Sequence, residues 1–360
     1  MTTSLASEIP VPVSRSEFDT MLGFSRTVFQ LKDNVAYLSR LSKDLPQAAH
    51  IQPEWPSVLM GFDFHLTPDG PKLIEINNNA GGLYIGDDRW IPQPDIPELQ
   101  NHLEQRLAEM FCSEWTTIAI MDENVTAQFM YPEMLAYAEL LRKDGRQVFV
   151  ICPEQLQLRD DGLVFDGVRV DVIYNRHTDF YLEGDDVSHI RLAYERGQVA
   201  INPHPRSYAL IGDKSRMVDW WREGLLEQCV KQNMVKQIRS VTPETHQLSE
   251  LDMEQAWVER KQWVFKPAAR HGGKGVLLGK AMSRKRYEAL DVADTIVQRL
   301  VPASELDVEG LGGEMNRMKL DIRLYMHGEK LIALAGRVWR GQMTNFRQAG
   351  SGWVSIDIAT

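Results

Sequence analysis

The sequence predicts an α/β fold, and three observations lead to that class. Apolar residues recur at helical spacing between residues 16 and 42. Strand and helix patterns then alternate between residues 117 and 174, as they do in a small parallel-sheet unit. Beyond residue 206, short apolar strands alternate with helical stretches and a glycine-rich turn. The 360 residues are enough for two or three packed units.

The individual elements follow from these patterns in chain order. Residues 16–42 predict one long helix or two shorter ones, because Asp33-Asn34 interrupts the spacing, and residues 96–111 predict another helix. The alternating unit is predicted to contain a strand at 117–121, a helix at 131–142, a strand at 147–152, a hairpin at 156–168 and a strand at 170–174. A linker is predicted at 202–205, followed by a helix at 214–235, strands at 263–266 and 276–278, a helix at 283–290, and strands at 295–298, 320–326 and 330–335.

A polar hairpin precedes the alternating unit. Its first strand is predicted at 58–66 and its second at 72–76, joined by the turn signal Thr67-Pro-Asp-Gly70. Pairing across this turn would bring Asp63 close to Glu75, and Asn77 would share a face with Glu75 because the two are two positions apart. Three hard oxygen donors suit Mg²⁺. The residues alone leave an exposed hairpin with a polar face as an equal alternative.

Composition restricts the partners. A hydrophobic fraction of 43 %, a charged fraction of 25 % and a net charge of −10 are ordinary for a globular enzyme, and the charge argues against general nucleic-acid or anionic-membrane binding. Small molecules are the expected partners. The three cysteines have no metal-binding spacing, and neither a signal peptide nor a membrane helix is indicated. A cytoplasmic location is therefore expected.

A glycine-rich loop follows the strand that carries Lys266. Three glycines between 272 and 275 would allow backbone N–H groups to approach phosphate oxygens, and Lys266 and Lys274 supply positive charge. The loop is not a Walker A motif, because no GxxxxGK[ST] runs into a helix. A solvated turn is the alternative.

The order of several motifs resembles the ATP-grasp enzymes. They are Ile74-Glu-Ile-Asn77 with Gly81-Gly-Leu83, Ile173-Tyr-Asn-Arg176, Lys214 in Gly212-Asp-Lys-Ser-Arg-Met217, the Lys266 loop, Asp321-Ile-Arg323, Arg337-Val-Trp-Arg340, Thr344-Asn345 and Gly350-Ser-Gly352. In ordinary members the Glu-x-Asn magnesium motif comes last. Here it comes first, as in the circularly permuted branch of eukaryotic-type glutathione synthetases. The resemblance extends from about residue 16 to the end.

The resemblance implies a circularly permuted ATP-grasp fold with a small parallel-sheet substrate-side domain. Its regions would be 1–112, a helical segment with the permuted metal hairpin; 113–205, the α/β substrate-side domain; and 206–360, the nucleotide-binding region. It implies a ligase that uses ATP and Mg²⁺ to join a small-molecule carboxylate to an amine through an acyl phosphate. An ATP-grasp kinase and a non-catalytic ATP-binding regulatory protein remain alternatives, and a homodimer remains open.

The resemblance also implies roles for particular residues. The metal ligands would be Asp63, Glu75 and Asn77. ATP would be bound by Lys214, Lys266, Gly272, Gly273, Lys274, Gln298, Leu300 and Arg323. The reacting groups would be held by Arg337, Arg340 and Asn345, and the substrate by Arg176. The alternatives are a solvated charge pair for Arg337 and Arg340 and a structural pair for Asp321 and Arg323.

Departures from the glutathione synthetase pattern concern the substrate. Two positions before the hairpin aspartate, the pattern has an arginine and this chain has Gly61. After the Glu-x-Asn motif, the pattern has small hydroxyl residues and this chain has Asn79, Ala80 and Gly81. The acidic metal ligand in the glycine loop is replaced by Arg270 and His271. The identities of the acid and the amine are therefore not predicted, nor is the use of γ-glutamylcysteine.

Overall fold

The computed structural model describes residues 10–41, 45–83, 93, 95–268, 275–309, 315–342 and 350–359. The strands are β1 (Val11–Ser14), β2 (Met60–Thr67), β3 (Gly70–Asn77), β4 (Thr117–Met121), β5 (Gln147–Ile151), β6 (Gln157–Arg159), β7 (Gly162–Phe165), β8 (Val168–Arg169), β9 (Val172–Asn175), β10 (Ala200–Asn202), β11 (Thr245–Gln247), β12 (Trp263–Pro267), β13 (Leu277–Leu278), β14 (Thr295–Arg299), β15 (Ser304–Glu309), β16 (Met315–His327), β17 (Lys330–Trp339), β18 (Gly352–Val354) and β19 (Ile356–Ala359).

The helices are α1 (Arg15–Leu31), α2 (Val35–Leu41), α3 (Leu103–Ala108), α4 (Tyr131–Lys143), α5 (Ser188–Glu195), α6 (Pro205–Ser207), α7 (Ser215–Trp221), α8 (Leu225–Cys229), α9 (Gln232–Val241), α10 (Met253–Val258) and α11 (Arg284–Glu288). In the described part of the chain, none of these helices combines the length and the apolarity needed to cross a membrane.

The first helix begins at a capping box. Glu17 N–H donates to Ser14 Oγ at 3.3 Å, and Ser14 N–H donates to Glu17 Oε2 at 2.9 Å, so two of the unpaired N–H groups at the helix start are satisfied. The helical stretch then breaks after Leu31 and resumes at Val35, which gives the two shorter helices. The buried side of α1 packs into the largest apolar cluster.

The largest sheet contains strands from both ends of the chain. Its order is β18-β17-β16-β2-β3, with β15 also paired to β16. The β2–β3 hairpin joins this sheet because β2 pairs antiparallel with β16, from Met60 opposite Met326 to Phe64 opposite Ile322. One face of the sheet is apolar and packs against α1 and α9. The residues at the alternate positions form the other face, which carries the polar groups.

A second sheet is fully parallel, as the strand and helix alternation predicts. Its order is β10-β9-β4-β5. Helix α4 shares one apolar cluster with β4 and β9, whereas α5 shares another cluster with the opposite face of the same strands. The α/β fold class is confirmed. The predicted linker at 202–205 is instead buried, and Asn202 Nδ2 donates to Pro56 O at 2.9 Å.

A third sheet, β11-β14-β12-β13, is antiparallel and carries Lys266 on β12. Three predicted elements differ from the structure. The helix at 96–111 is reduced to a turn at Pro97–Leu99 and α3, the hairpin at 156–168 is the three-stranded meander β6-β7-β8, and the helix at 214–235 is divided among α7, α8 and α9. Gly224 divides α7 from α8 because its φ of +76° does not continue a right-handed helix.

Candidate active site

The β2–β3 hairpin has the register that the sequence predicts. Asp63 lies opposite Glu75, and Gly61 lies opposite Asn77. A register shift follows Asp63, so a bulge separates this polar end of the hairpin from the turn. Because alternate residues of a strand share a face, Asp63, Glu75 and Asn77 all lie on the polar face of the large sheet.

Asp63 is fully buried and surrounded by donors. Arg323 Nε donates to its Oδ1 at 2.6 Å and Arg323 Nη2 donates to its Oδ2 at 2.7 Å. Arg337 Nη2 also donates to Oδ2 at 2.7 Å, and Asn77 Nδ2 donates to the same atom at 2.9 Å. One carboxylate therefore holds two guanidinium groups from β16 and β17 side by side.

A second carboxylate completes the cluster. Asp321 lies opposite Arg337 across β16 and β17, and it accepts from Arg337 Nε at 2.6 Å and from Nη2 at 2.8 Å. Thus Asp321 pairs with Arg337 and not with Arg323, its neighbour two positions along the strand. The four side chains, Asp63, Asp321, Arg323 and Arg337, are buried and carry no net charge together when all are ionised. We call them the arginine–aspartate cluster.

The two carboxyl groups of this cluster differ in pKa. Burial alone would raise the pKa of Asp63, but the charges and hydrogen bonds of Arg323 and Arg337 outweigh burial and hold the pKa below its ordinary value. Burial raises the pKa of Asp321, against the opposing charge of Arg337 and with a further contribution from nearby Asp63. Asp63 is therefore the carboxylate that keeps the two guanidinium groups in place over a wide pH range.

The surroundings of Asp63 do not fit a direct metal ligand. Both of its oxygens already accept hydrogen bonds from cations, and two guanidinium groups within 3 Å would repel Mg²⁺. Among the described residues, no cluster of three or more His, Cys, Asp and Glu side chains forms a metal site. The expectation that Asp63 completes the magnesium set is thus at odds with the geometry.

Glu75 and Asn77 do fit a magnesium site that is completed by phosphate oxygens and water. Both side chains are half-buried, and Asn77 Nδ2 lies 3.2 Å from Glu75 Oε1. Glu75 Oε2 accepts no hydrogen bond from the described residues. Asn77 Nδ2 donates to Asp63 Oδ2 and to Glu75 Oε1, whereas its Oδ1 accepts no hydrogen bond from the described residues and can therefore serve as a metal ligand.

The structure brings both predicted lysines near Glu75. Lys266 is buried, and its Nζ donates to Gln298 Oε1 at 2.7 Å and to Ile74 O at 3.1 Å. Burial lowers the pKa of Lys266 to about 8, with Glu75 opposing the shift and Lys214 adding to it. Burial also lowers the pKa of Lys214, again against the charge of Glu75. Two cations and one carboxylate thus interact at the junction of β3 and β12.

The other residues predicted to bind ATP are either engaged within the protein or lie outside the described residues. Gln298 is buried and its Oε1 accepts from Lys266, while Leu300 N–H donates to Gln262 O at 2.7 Å, so this N–H is not available to an adenine ring. Gly272, Gly273 and Lys274 lie outside the described residues, as do Arg270 and His271. Their expected place over the phosphates stays a prediction.

Arg340 is separated from Arg337. It is exposed, its Nε lies 3.3 Å from Met318 Sδ, and its Nη2 donates to Asn316 Oδ1. An odd separation of three positions turns the two arginines to opposite faces of an extended chain, which explains why only Arg337 reaches Asp63. Asn345, the third residue predicted with them, lies outside the described residues.

Arg176 is engaged inside the protein. It follows β9 and is buried, with Nη1 donating to Asn79 Oδ1, to Tyr174 Oη at 3.2 Å and to Ala80 O at 3.4 Å. Its Nη2 lies 3.7 Å from Glu133 Oε2. The predicted substrate arginine therefore supports the segment that follows Asn77.

That segment, 79–82, connects the parallel sheet with the large sheet. Gly82 N–H donates to Glu133 Oε1 at 2.8 Å, while Gly81 O accepts from Tyr325 Oη at 3.1 Å and from Arg323 Nη1 at 3.4 Å. Gly82 has a φ of +93°, and a Cβ there would lie 1.9 Å from the Trp353 ring. Glycine is thus required where the loop passes between the two sheets.

Sequence reasoning missed two members of this arrangement. Glu133 is buried in the first turn of α4, where an amphipathic pattern gives no sign that a glutamate faces inward. The apolar pattern of β16 predicts only that Tyr325 is a core residue. The signal for Tyr325 was its even spacing from Asp321 and Arg323, which puts all three on one face.

The chain resembles proteins of known structure, although its sequence has no detected family. No protein-family model matches it, and no curated protein sequence does. Among solved structures, "Putative gamma-glutamylcysteine synthetase" from Methylobacillus flagellatus KT matches with 15 % identity and a TM-score of 0.52, over 97 % of this chain and 90 % of that chain. The α/β fold that the sequence predicts is shared with this protein.

Weaker likenesses were also found. The ATP-grasp ligase PsnB, complexed with a minimal precursor, matches with 17 % identity and a TM-score of 0.40, over 68 % of this chain and 78 % of that chain. D-alanyl-alanine synthetase A from Vibrio cholerae O1 biovar eltor matches with 13 % identity and a TM-score of 0.31, over 59 % and 68 %.

Proposed function

We propose that the protein is an ATP- and Mg²⁺-dependent ligase that joins a carboxylate to an amine through an acyl phosphate. The observation that supports this most is the convergence on one sheet face of two kinds of group. Glu75 and Asn77 suit a metal bound to phosphates, and Arg323 and Arg337 are held beside them by Asp63. Phosphoryl transfer needs this combination of cations and fixed positions more than it needs a covalent catalyst.

The nucleotide end of the site would be Lys214 and Lys266. Both lysines are close enough to Glu75 for its charge to affect their pKa values. Lys266 is fixed by Gln298 and Ile74, so its ammonium is oriented before a ligand arrives. Mg²⁺ held by Glu75 and Asn77 would neutralise charge on the phosphates when bound.

The acyl-phosphate end would be Arg337. Its Nε and Nη2 are occupied by the two aspartates, whereas its Nη1 makes no hydrogen bond to any described residue. Nη1 can therefore donate to an oxygen of the transferring phosphoryl group or of the substrate carboxylate. Asp63 then acts as a positioning residue: it fixes the guanidinium groups of Arg323 and Arg337, and it does not bind the metal.

Circular permutation remains part of this proposal. In support, the hairpin at 60–77 pairs directly with β16, which lies near the other end of the chain. A glutathione-synthetase-like choice of substrate is also proposed, as is the cytoplasmic location. The likeness to a protein named for γ-glutamylcysteine synthesis makes amino acids and short peptides the first acids to test.

The test is transfer of oxygen from the acid to phosphate. Amino acids and dipeptides labelled with ¹⁸O in the carboxylate are incubated with ATP, Mg²⁺ and a panel of amines, and ADP, phosphate and product mass are measured. The carboxylate oxygen attacks the γ-phosphorus, and displacement by the amine leaves that oxygen in the phosphate. We expect ¹⁸O in phosphate together with an amide.

Two other results would reject the proposal. ADP release with a phosphorylated product and no amide would support the kinase alternative. Absence of ADP release with every acid and amine, together with binding of ATP, would support the non-catalytic alternative.

A further inference from the structure

The parallel sheet has a topological switch point between β4 and β9. From β4 the chain passes through α4 to β5 on one side, then returns to β9 on the other side and continues through α5 to β10. The helices pack on opposite faces. In open sheets of this kind, ligands bind in the crevice outside the carboxyl ends of the two strands at the switch point.

Charged residues occupy both strand ends at this crevice. Asp122 follows β4 directly, and Arg176 and His177 follow β9. Arg176 N–H donates to Met121 O at 2.8 Å, which fixes the two ends beside each other. The positive charges of Arg176 and His177 act to lower the pKa of Asp122, against the effect of burial, as is expected for groups at neighbouring strand ends.

The carboxylate of Asp122 has an unused oxygen. Its residue is only 7 % exposed, and Oδ1 accepts from Glu123 N–H at 2.8 Å, whereas Oδ2 accepts no hydrogen bond from the described residues. Burial raises the pKa of this carboxyl to about 6, so burying the ionised side chain without a partner for Oδ2 costs free energy. The buried carboxylates of Glu133 and Asp63 each contact an arginine instead.

The charges at the crevice favour a cationic ligand. Nη1 of Arg176 is used by Asn79, Ala80 and Tyr174, and its Nη2 faces Glu133. An anion would meet the Asp122 carboxylate without a guanidinium to receive it. A metal ion would find a single carboxylate and a nearby guanidinium, which is not a ligand set. An ammonium group offers the N–H donors that Asp122 Oδ2 lacks.

The crevice is connected to the proposed ligase site. Arg176 contacts Asn79 and Ala80, and the next residue, Gly81, accepts hydrogen bonds from Arg323 and Tyr325 on the polar face of the large sheet. One short loop therefore separates the strand ends of the parallel sheet from the arginine–aspartate cluster.

We propose that the crevice between the ends of β4 and β9 binds the ammonium group of the amine substrate through Asp122 Oδ2. This inference rests on the proposed ligase function for the role of the bound amine, but the binding itself can be measured without turnover. Asp122 is then a specificity residue for amines that carry positive charge.

The experiment measures binding of ethylenediamine, spermidine and glycine to the full-length protein by calorimetry at pH 7.5. Asp122→Asn keeps the acceptor for Glu123 N–H and removes the charge, and Glu123→Gln makes the same charge change at the adjacent exposed residue. We expect at least one probe to bind the wild type, to bind Asp122→Asn about tenfold or more weakly, and to bind Glu123→Gln unchanged.

Several results would overturn the inference. They are no binding of any probe to the wild type, equal binding by Asp122→Asn, or equal weakening by both variants. A second measurement needs no variant: the wild type should bind ethylenediamine and not its uncharged analogue ethylene glycol, and equal binding of the two would also reject it. Failure of the ¹⁸O assay with wild-type protein would reject the ligase proposal alone, since these binding results do not depend on ATP.

Discussion

Arg337 Nη2 lies 2.7 Å from Asp63 Oδ2, although 274 positions separate the two residues in the chain. This contact links β17 to the N-terminal hairpin across β16. It also fixes one end of the guanidinium, so that its Nη1 remains for a ligand. Asp63, which the sequence predicts as a magnesium ligand, thus holds two arginines in a buried position instead.

The first prediction concerns Asp63→Asn. The change leaves two buried guanidinium groups with only Asp321 to balance them, so the free energy of unfolding should fall by about 3–5 kcal/mol. Urea denaturation measures this loss. The matched control is Asp69→Asn in the exposed turn of the same hairpin, which should stay within about 0.5 kcal/mol of wild type. Equal stabilities of Asp63→Asn and wild type would show that the cluster is not held by this carboxylate.

The second prediction compares Arg337→Lys with Arg340→Lys. The single ammonium group of lysine cannot bridge two aspartates and also keep a donor fixed at the position of Arg337 Nη1. We therefore expect kcat for ADP release to fall by about 10²-fold or more in Arg337→Lys. Arg340 lies on the surface against Asn316 and Met318, so its variant should keep nearly full kcat. The opposite ranking would place the acyl phosphate near Arg340, in agreement with the expectation from sequence.

The third prediction concerns pH. Burial lowers the pKa values of His65, His204 and His327 to about 4, 3 and 4. In the unfolded chain these groups titrate near 6.5, so between about pH 6 and pH 4 the unfolded state binds up to three more protons at these histidines than the folded state. The histidines alone therefore make stability fall as the pH decreases below about 6.5, by up to about 4 kcal/mol per pH unit, whereas the raised carboxyl pKa values of Asp122 and Asp321 oppose part of this fall.

Urea denaturation at pH 7.5 and pH 5.5 measures this dependence. His327→Gln, which can still contact Ser57 O, should reduce the slope by about 1.4 kcal/mol per pH unit in the lower part of this range. A variant slope identical to that of wild type would mean that His327 is protonated in the folded state.

Local patterns predicted the elements better than their partners. The hairpin register followed from strand periodicity and one turn signal, so Asp63 opposite Glu75 was predictable. The partners of Asp63 were not, because Arg323 and Arg337 reach it only through pairing of β2 with β16 and of β16 with β17. Periodicity gives the face of each residue, but it does not give the order of strands in a sheet.

The same limit explains the other differences. Arg337 and Arg340 looked like a pair because they are close in sequence, whereas strand geometry turns them apart. Glu133 and Asp122 carry no motif. The role of Glu133 depends on how the parallel sheet packs against segment 79–82, and that of Asp122 depends on the pairing of β4 with β9. Residues 202–205 contain two prolines typical of a linker, yet Asn202 is the last residue of β10 and the segment is buried against residues 56–58.

The most direct test of the central claim is the Mg²⁺ dependence of ADP release by Glu75→Gln, measured with the acid and amine that give an amide with wild-type protein. Loss of the anionic ligand should lower kcat by about 10²-fold or more and raise the Mg²⁺ concentration needed for half-maximal rate. The variant should still unfold in one cooperative thermal transition, which shows that the fold is retained, and Asp69→Asn should behave as wild type. Turnover by Glu75→Gln within a few-fold of wild type at the same Mg²⁺ concentration would contradict the assignment of this sheet face as the active site.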